Sequence, residues 1–282
     1  MRILLADRRP LQRAELVIDF HEDEHALALD ARALRWASPL ELAAIVTLAN
    51  DAHTRGRKVA LVLPEDRDVA AYLARMNVVD LLEPIAEIDG TIPTQTRRDH
   101  SSKLLEVTGV TRTDASAVAA KLGRMTTSRL GSKIGVLAFK ALGELLDNAT
   151  NHGRSDIGAF TAAQLYTGAS SGLPGFEFAV CDAGMSIFES LRASVHHQDL
   201  EDDRAALEHA LQNGVSSTPS PGRGHGLGDL GDQVTREGGG RMLLRSGSAV
   251  ASVVLRARRL VTARPVATPT NGTWAWLRVR VP

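Results

Sequence analysis

Apolar positions along the chain fall into two rhythms, and the expected elements follow from them. HALALDA, from His25, alternates and reads as a strand, while RKVALVLP, from Arg57, is a short continuous apolar run of the kind a buried strand needs. Between them SPLELAAIVTLANDAHTRG, from Ser38, has helical spacing, with Ser at its start and Pro just inside. DVAAYLARMNVVDLL, from Asp68, repeats the helical spacing. Strand, helix, strand, helix with short links predicts a small α/β layer, and no catalytic cluster is evident in it.

The stretch DGTIPTQTRRD, from Asp89 to Asp99, interrupts both rhythms with Gly, Pro, Thr and charge. It divides the chain into a first unit over 1–88, a linker over 89–99 and a second unit over 100–282. In the second unit GSKIGVLAFKALGELLDNATNHG, residues 131–153, predicts a long helix with Gly as its stop. Its apolar residues Ile134, Val136, Leu137, Phe139, Leu142, Leu145 and Leu146 go most of the way round, which predicts packing on more than one side. Lys140, Glu144, Asn148 and His152 recur every four residues and share one stripe.

That stripe is the first piece of candidate chemistry. Asn offers a neutral oxygen to a hard cation, and Glu one turn earlier can orient and deprotonate a nucleophile, which suits magnesium-nucleotide chemistry. An ordinary Lys140–Glu144 ion pair on a solvated face accounts for the same residues. In FEFAVCDAGMS, Phe176, Phe178 and Val180 alternate before Asp182, so Asp182 ends a strand beside Gly184. Such a carboxylate can accept from an exocyclic amine while the glycine admits a flat ring, demands that an adenine meets; a simple turn explains Asp-Ala-Gly equally well. PGRGHGLGDL, from Pro221, alternates Gly222, Gly224, Gly226 and Gly228 ahead of a helix, which presents backbone N–H groups to an anion such as a phosphate. Neither a P-loop nor a Rossmann fingerprint is present in the sequence. Trp274 and Trp276 share a strand face and read as core or sheet cover, with an interface as the alternative.

Composition removes several classes. With 33 basic and 33 acidic residues among 282, no bulk field draws the chain to nucleic acid, and the cluster Arg256, Arg258 and Arg259 reads as a solvated face. A hydrophobic share of 44% with 4% aromatics predicts an aliphatic core, and no apolar run approaches the roughly 20 residues that span a bilayer. Cys181 is the single cysteine, which excludes an intramolecular disulfide framework and fits a reducing compartment. The opening MRILLADRRP lacks a secretory pattern, so the expectation is a cytoplasmic protein.

Taken in order, these segments resemble two known families. From LDARALRWASPLEL through RGRKVALVLP to AAYLARMNVVDLL, roughly residues 24 to 83, the first unit resembles the STAS domains of bacterial anti-sigma-factor antagonists. In that family a Ser or Thr at the helix start can carry phosphate, which here implies Ser38 as a phosphosite; Ala37 and Pro39 depart from the usual neighbours, and a plain helix cap is the alternative.

From about residue 130 onward ELLDNATNHG, DAGMS, GRGHGLG and the closing NGTWAWLRVRVP resemble the GHKL ATP-binding superfamily of gyrase, heat-shock chaperones and histidine kinases. The resemblance implies an α/β fold: a small STAS-like α/β domain followed by a two-layer GHKL (Bergerat) sandwich with a mixed sheet. It also implies ATP and magnesium as ligands. Glu144 becomes the catalytic base, Asn148 the magnesium ligand, and Asp182 with Gly184 the adenine site. Arg223, Gly224, His225, Gly226, Leu227 and Gly228 border the phosphates, and 185–221 forms a lid. Ser186 stands where the family often has a second Gly.

Within the superfamily the closest likeness is to the anti-sigma serine kinases. It implies phosphoryl transfer to a Ser or Thr of a STAS-type partner, with a sigma factor as a further partner and a homodimer left open. An ATPase that drives lid closure, or a nucleotide-gated binding module without turnover, fits the same residues.

Overall fold

The computed structural model describes residues 1–5, 17–19, 25–93, 101–169, 172–212, 226–238, 240–255 and 259–281. These residues form an α/β protein with two five-stranded sheets. The first sheet runs β2 (Val17–Asp19), β1 (Arg2–Leu4), β3 (Ala26–Asp30), β4 (Lys58–Val62), β5 (Glu87–Asp89). Neighbours from β1 to β5 are parallel, and β2 pairs antiparallel to β1. Helix α1 (Pro39–Thr54) connects β3 to β4, and α2 (Arg67–Arg75) with α3 (Val78–Leu82) connects β4 to β5.

Helix α1 starts and stops for local reasons. The Ser38 hydroxyl accepts from Leu40 N–H at 3.3 Å, and the Glu41 carboxylate accepts from Ser38 N–H at 2.8 Å, closing a capping box around Pro39. At the other end Gly56 adopts φ +73°, and Arg57 N–H donates to the Ala52 carbonyl at 2.9 Å, the bond pattern that ends a helix in a left-handed residue. Its middle is apolar on both sides. Leu42, Ile45, Val46 and Ala49 pack with Leu27, Leu29 and Leu61 of the first sheet. Leu40, Ala43 and Ala44 pack with Ala179, Cys181, Leu243, Val250, Trp274 and Trp276, which belong to the second.

That second sheet runs β6 (Leu104–Val110), β7 (Ala159–Tyr166), β8 (Gly175–Asp182), β10 (Arg259–Arg280), β9 (Arg241–Leu255). Every neighbouring pair in it is antiparallel, which corrects the mixed sheet expected from the resemblance. The reason lies in α4 (Ala115–Leu130) and α5 (Ser132–Asp147), joined at Gly131. A hairpin of two equally long helices returns the chain to the end where β6 stopped, so β7 must run back along it. The change of sheet falls between Asp89 and Leu104, and residues 94–100 of the expected linker lie outside the described residues.

Alternation along β8 sorts the second sheet's two faces. Phe176, Phe178 and Val180 join the core under α5, whereas Ala179 and Cys181 face α1. Trp274 and Trp276, 2% and 1% exposed, are the sheet cover that α1 closes. Beside them Arg245 is fully buried, its guanidinium 5.2 Å from the Trp274 ring, its Nε donating to Thr270 Oγ1 at 3.2 Å and its Nη2 to the Thr268 carbonyl. The register of β9 against β10 shifts on either side of Thr270.

Helix α5 packs on more than one side, as its apolar residues predict, but two of those residues are left partly uncovered. Ile134, Leu137, Leu142, Leu145 and Leu146 are buried, but Val136 is 52% and Phe139 41% exposed. The helix touches the sheet on one side and α4 on another, where a Cβ on Gly135 would stand 2.8 Å from the Gly123 carbonyl oxygen; its remaining face, with Lys140 and Glu144, is open. Between β8 and β9 come α6 (Ile187–Arg192), a single 3-10 turn (Val195–His197), α7 (Asp203–Ala210) and α8 (Leu227–Gly238). Among the described residues no helix is long and apolar enough to cross a membrane.

Because α1 is shared, the two sheets are layers of one stack. Polar contacts tie the same junction: Tyr72 Oη donates to Gln164 Oε1 at 2.9 Å, Arg75 pairs with Glu106, and Val107 N–H donates to the Met76 carbonyl at 3.1 Å. Replacing Trp276 by Ala removes one of the two tryptophans buried on α1's second face. The substitution is expected to lower stability by about 3–5 kcal/mol in urea unfolding, with both sheets melting in one transition. Separate transitions for the halves would contradict the shared layer.

Candidate functional site

Asp182 ends β8 on the side of Phe178 and Val180, so its carboxylate enters the α5 side of the sheet. Oδ1 accepts from Gly184 N–H at 2.9 Å and Oδ2 from Thr273 N–H at 3.3 Å. Three glycines from three segments close on it. A Cβ on Gly272, whose φ is +69°, would stand 2.3 Å from the Asp182 carbonyl oxygen; one on Gly153 would stand 2.8 Å from Oδ1; one on Gly184 would stand 1.8 Å from the Gly153 carbonyl oxygen. No side chain fits at these points without moving backbone. The carboxylate is 1% exposed, and burial pushes its pKa up to about 7, only partly offset by the two backbone N–H groups.

The end of α5 meets this carboxylate directly. The chain leaves the α-helix in a π-helical turn, Asn148–His152, in which Gly153 N–H donates to the Asn148 carbonyl at 3.0 Å. Gly153 in turn accepts from Met185 N–H at 2.6 Å, so the ends of the predicted stripe and of the strand-end Asp are bonded to each other. Asn148 and His152 are half-buried there, while Glu144, one turn back, is exposed. Each Asp182 oxygen holds one N–H, which leaves lone pairs for a further donor such as an exocyclic amine.

The third expected segment is described in part. Arg223, Gly224 and His225 lie outside the described residues. Gly226 precedes α8 and its carbonyl accepts from Leu230 N–H at 3.1 Å; Leu227 and Gly228 form the first turn. Leu227 packs on the cluster of Leu191, Ala206 and Ala210 in α6 and α7, and Leu230 and Val234 enter the core below α5. The start of α8 therefore sits against the helices of the expected lid, residues 185–221, whose portion from 213 onward is not described. Arg259 fixes this corner: its Nε is 2.9 Å from Asp232 Oδ1 and its Nη2 donates to the Leu211 carbonyl at 2.7 Å. Arg256 and Arg258 of the same basic cluster are outside the described residues.

Two serines have structural work. Ser186 caps α6, accepting from Glu189 N–H at 3.1 Å while Ser186 N–H donates to Glu189 Oε2 at 2.7 Å, so a serine at this point starts the lid's first helix. Ser38 is fully buried in its own capping box with Glu41, a geometry that serves the cap and withholds the hydroxyl from solvent. Sequence reasoning missed Gly272, Thr273 and Ser246, which complete the site from the last two strands. The Asn-Gly pair at 271–272, a turn signal inside an otherwise regular strand pattern, marks the place.

The polar groups gathered here are one buried carboxylate, backbone N–H groups and the Asn148 side chain. Among the described residues no group of three His, Cys, Asp or Glu side chains is disposed to hold a metal. Asn148, half-buried in the turn after α5, offers a neutral side-chain oxygen of the kind a hard cation takes. No protein-family model matches the chain, and no curated protein matches it.

The Asp182 environment carries a pH signature. Folding raises its pKa from 3.8 to about 7, so over that interval the folded state holds a proton that the unfolded state has released. Stability therefore falls as pH rises through the window, by up to about 1.4 kcal/mol per pH unit. Asp30, held low by Arg32 and Arg2, titrates below it and does not interfere. Urea unfolding at pH 5 and pH 8 should show the parent weaker at pH 8 and Asp182→Asn with a flatter profile; equal slopes would exclude the assignment.

Proposed function

We propose that the chain is an ATP-binding regulatory protein of the anti-sigma serine-kinase type, acting in the cytoplasm on a Ser or Thr of a STAS-type partner. The carrying observation is the Asp182 cradle: a buried, glycine-walled carboxylate bonded through its loop to the end of a helix that bears Glu144 and Asn148. Asp182 and Gly184 serve the adenine, and Gly226 to Gly228 at the start of α8 face the phosphates. When bound, magnesium-ATP supplies the γ-phosphoryl group and the charge neutralisation that such a transfer needs.

Glu144 then accepts the proton of the attacking hydroxyl as its oxygen bonds to phosphorus and ADP leaves. Its exposure on the open face of α5 supports a hydroxyl delivered by another protein over an enclosed water. The first unit supports the same view, because Ser38 is buried and leaves the substrate hydroxyl to a separate molecule, a STAS protein whose phosphorylation frees a regulator such as a sigma factor.

Incubation with γ-labelled ATP and STAS-type proteins tests this. Label is expected on the partner, lowered about 100-fold or more by Glu144→Ala with binding of a fluorescent ATP analogue retained, and that binding is expected to weaken in Asp182→Asn. Label released only as free phosphate would make the protein an ATPase. Analogue binding without turnover would make it a nucleotide-gated module, and absence of binding would end the nucleotide reading.

A further inference from the structure

Helix α1 reaches past the apolar layer to the strands that hold Asp182. Thr47 Oγ1, fixed by the Ala43 carbonyl at 2.8 Å, also donates to the Cys181 carbonyl at 3.3 Å, one residue before Asp182. One turn further, Asp51 Oδ2 accepts from Asn271 Nδ2 at 3.0 Å, while Arg55 Nε holds Oδ1 at 2.9 Å. Asn271 leads straight into Gly272, packed on the Asp182 carbonyl, and Thr273, whose N–H holds Oδ2.

The same short segment reaches the lid. Ser246, 1% exposed, accepts from Ile187 N–H at 2.8 Å at the start of α6 and lies 2.9 Å from Thr273 Oγ1. Around this junction opens a cleft of about 730 Å³, lined among others by Asp51, Arg55, Arg154, Gly184, Asn271 and Gly272. The Asp51–Asn271 bond joins α1 to the last strand between two residues that line this cleft.

We infer that Asp51 and Asn271 are positioning residues through which the first unit sets the geometry of the Asp182 cradle, so that the Asp51–Asn271 tie and nucleotide occupancy are energetically coupled. The inference rests on the nucleotide reading for its second half only; the control of the cradle by α1 is a claim about this chain's own bonds. Coupling of this kind is reciprocal. If the Asp51 tie favours the nucleotide-competent cradle, bound nucleotide must favour the tie to the same degree, and the first unit becomes a reporter of occupancy as well as a regulator of it.

The test uses the full chain and two independent readouts. Asn271→Asp sets two carboxylates against each other; combined with Asp51→Asn it restores a donor and an acceptor with their places exchanged. Backbone amide exchange at Thr273 and Gly184, followed by NMR, should accelerate several-fold in Asn271→Asp and return towards the parent rate in the combined variant. Binding of the fluorescent ATP analogue should weaken about two- to tenfold in Asn271→Asp, recover in the combined variant, and show no further loss when Asn271→Asp is added to Asp182→Asn.

Unchanged exchange at Thr273 and Gly184 overturns the inference whatever the binding result. Accelerated exchange with unaltered analogue affinity overturns the coupling to nucleotide. A parent protein that binds no analogue overturns the nucleotide reading and the coupling with it, while the exchange rates still decide whether α1 sets the cradle.

Discussion

Helix α1 gives Leu42, Ile45, Val46 and Ala49 to one sheet and Leu40, Ala43 and Ala44 to the other, and the small alanines let the second sheet approach closely. A helix that buries opposite sides at once leaves neither layer able to move without exposing hydrocarbon. The other features depend on this constraint. Trp274 and Trp276 need a cover because they stand on the face away from α4 and α5, and α1 supplies it. With that face closed, the candidate site lies on the side where α5, the Asp182 loop and α8 meet.

On that side the organising demand is close approach of backbone. The glycines at 153, 184 and 272 come from a helix end, a strand-end loop and the last strand, yet each abuts Asp182 or another of the three. Their absent side chains bring peptide groups near a carboxylate that is almost wholly buried. The result is an acid whose charge is expensive and whose neutral form is favoured, held by fixed N–H dipoles. A donor brought to it would meet an acceptor that is already desolvated.

Much of this was legible in the residues. Ser38 with Pro39, the run to Gly153 and the alternation into Asp182 each follow from local bonding or side-chain period, and the structure places them accordingly. What local pattern could not carry was the identity of the neighbour across a face. Helical spacing predicted α1 itself, but nothing in it said that a second side would be buried, against strands more than a hundred residues further along the chain. On α5 the two packed sides follow from the apolar residues, but the pattern does not mark Val136 and Phe139 as the two that stay 52% and 41% exposed. The antiparallel second sheet also escaped, because strand direction depends on the α4–α5 hairpin returning the chain to its starting end. Ser186 stands where the family often has a glycine, and the Glu three residues on marks it as a helix cap.

Arg245 has a consequence for the last two strands. Its guanidinium is enclosed between Trp274, Thr270 and the Thr268 carbonyl at the point where the pairing of β9 with β10 shifts. If β9 slid by one residue, the alternation would carry this cation through the sheet into the aliphatic layer beneath α5 and bring Leu244 out in its place. Hydrocarbon tolerates neither exchange, so the alignment that delivers Thr273 to Asp182 is kept by a charge acting as a ratchet pawl.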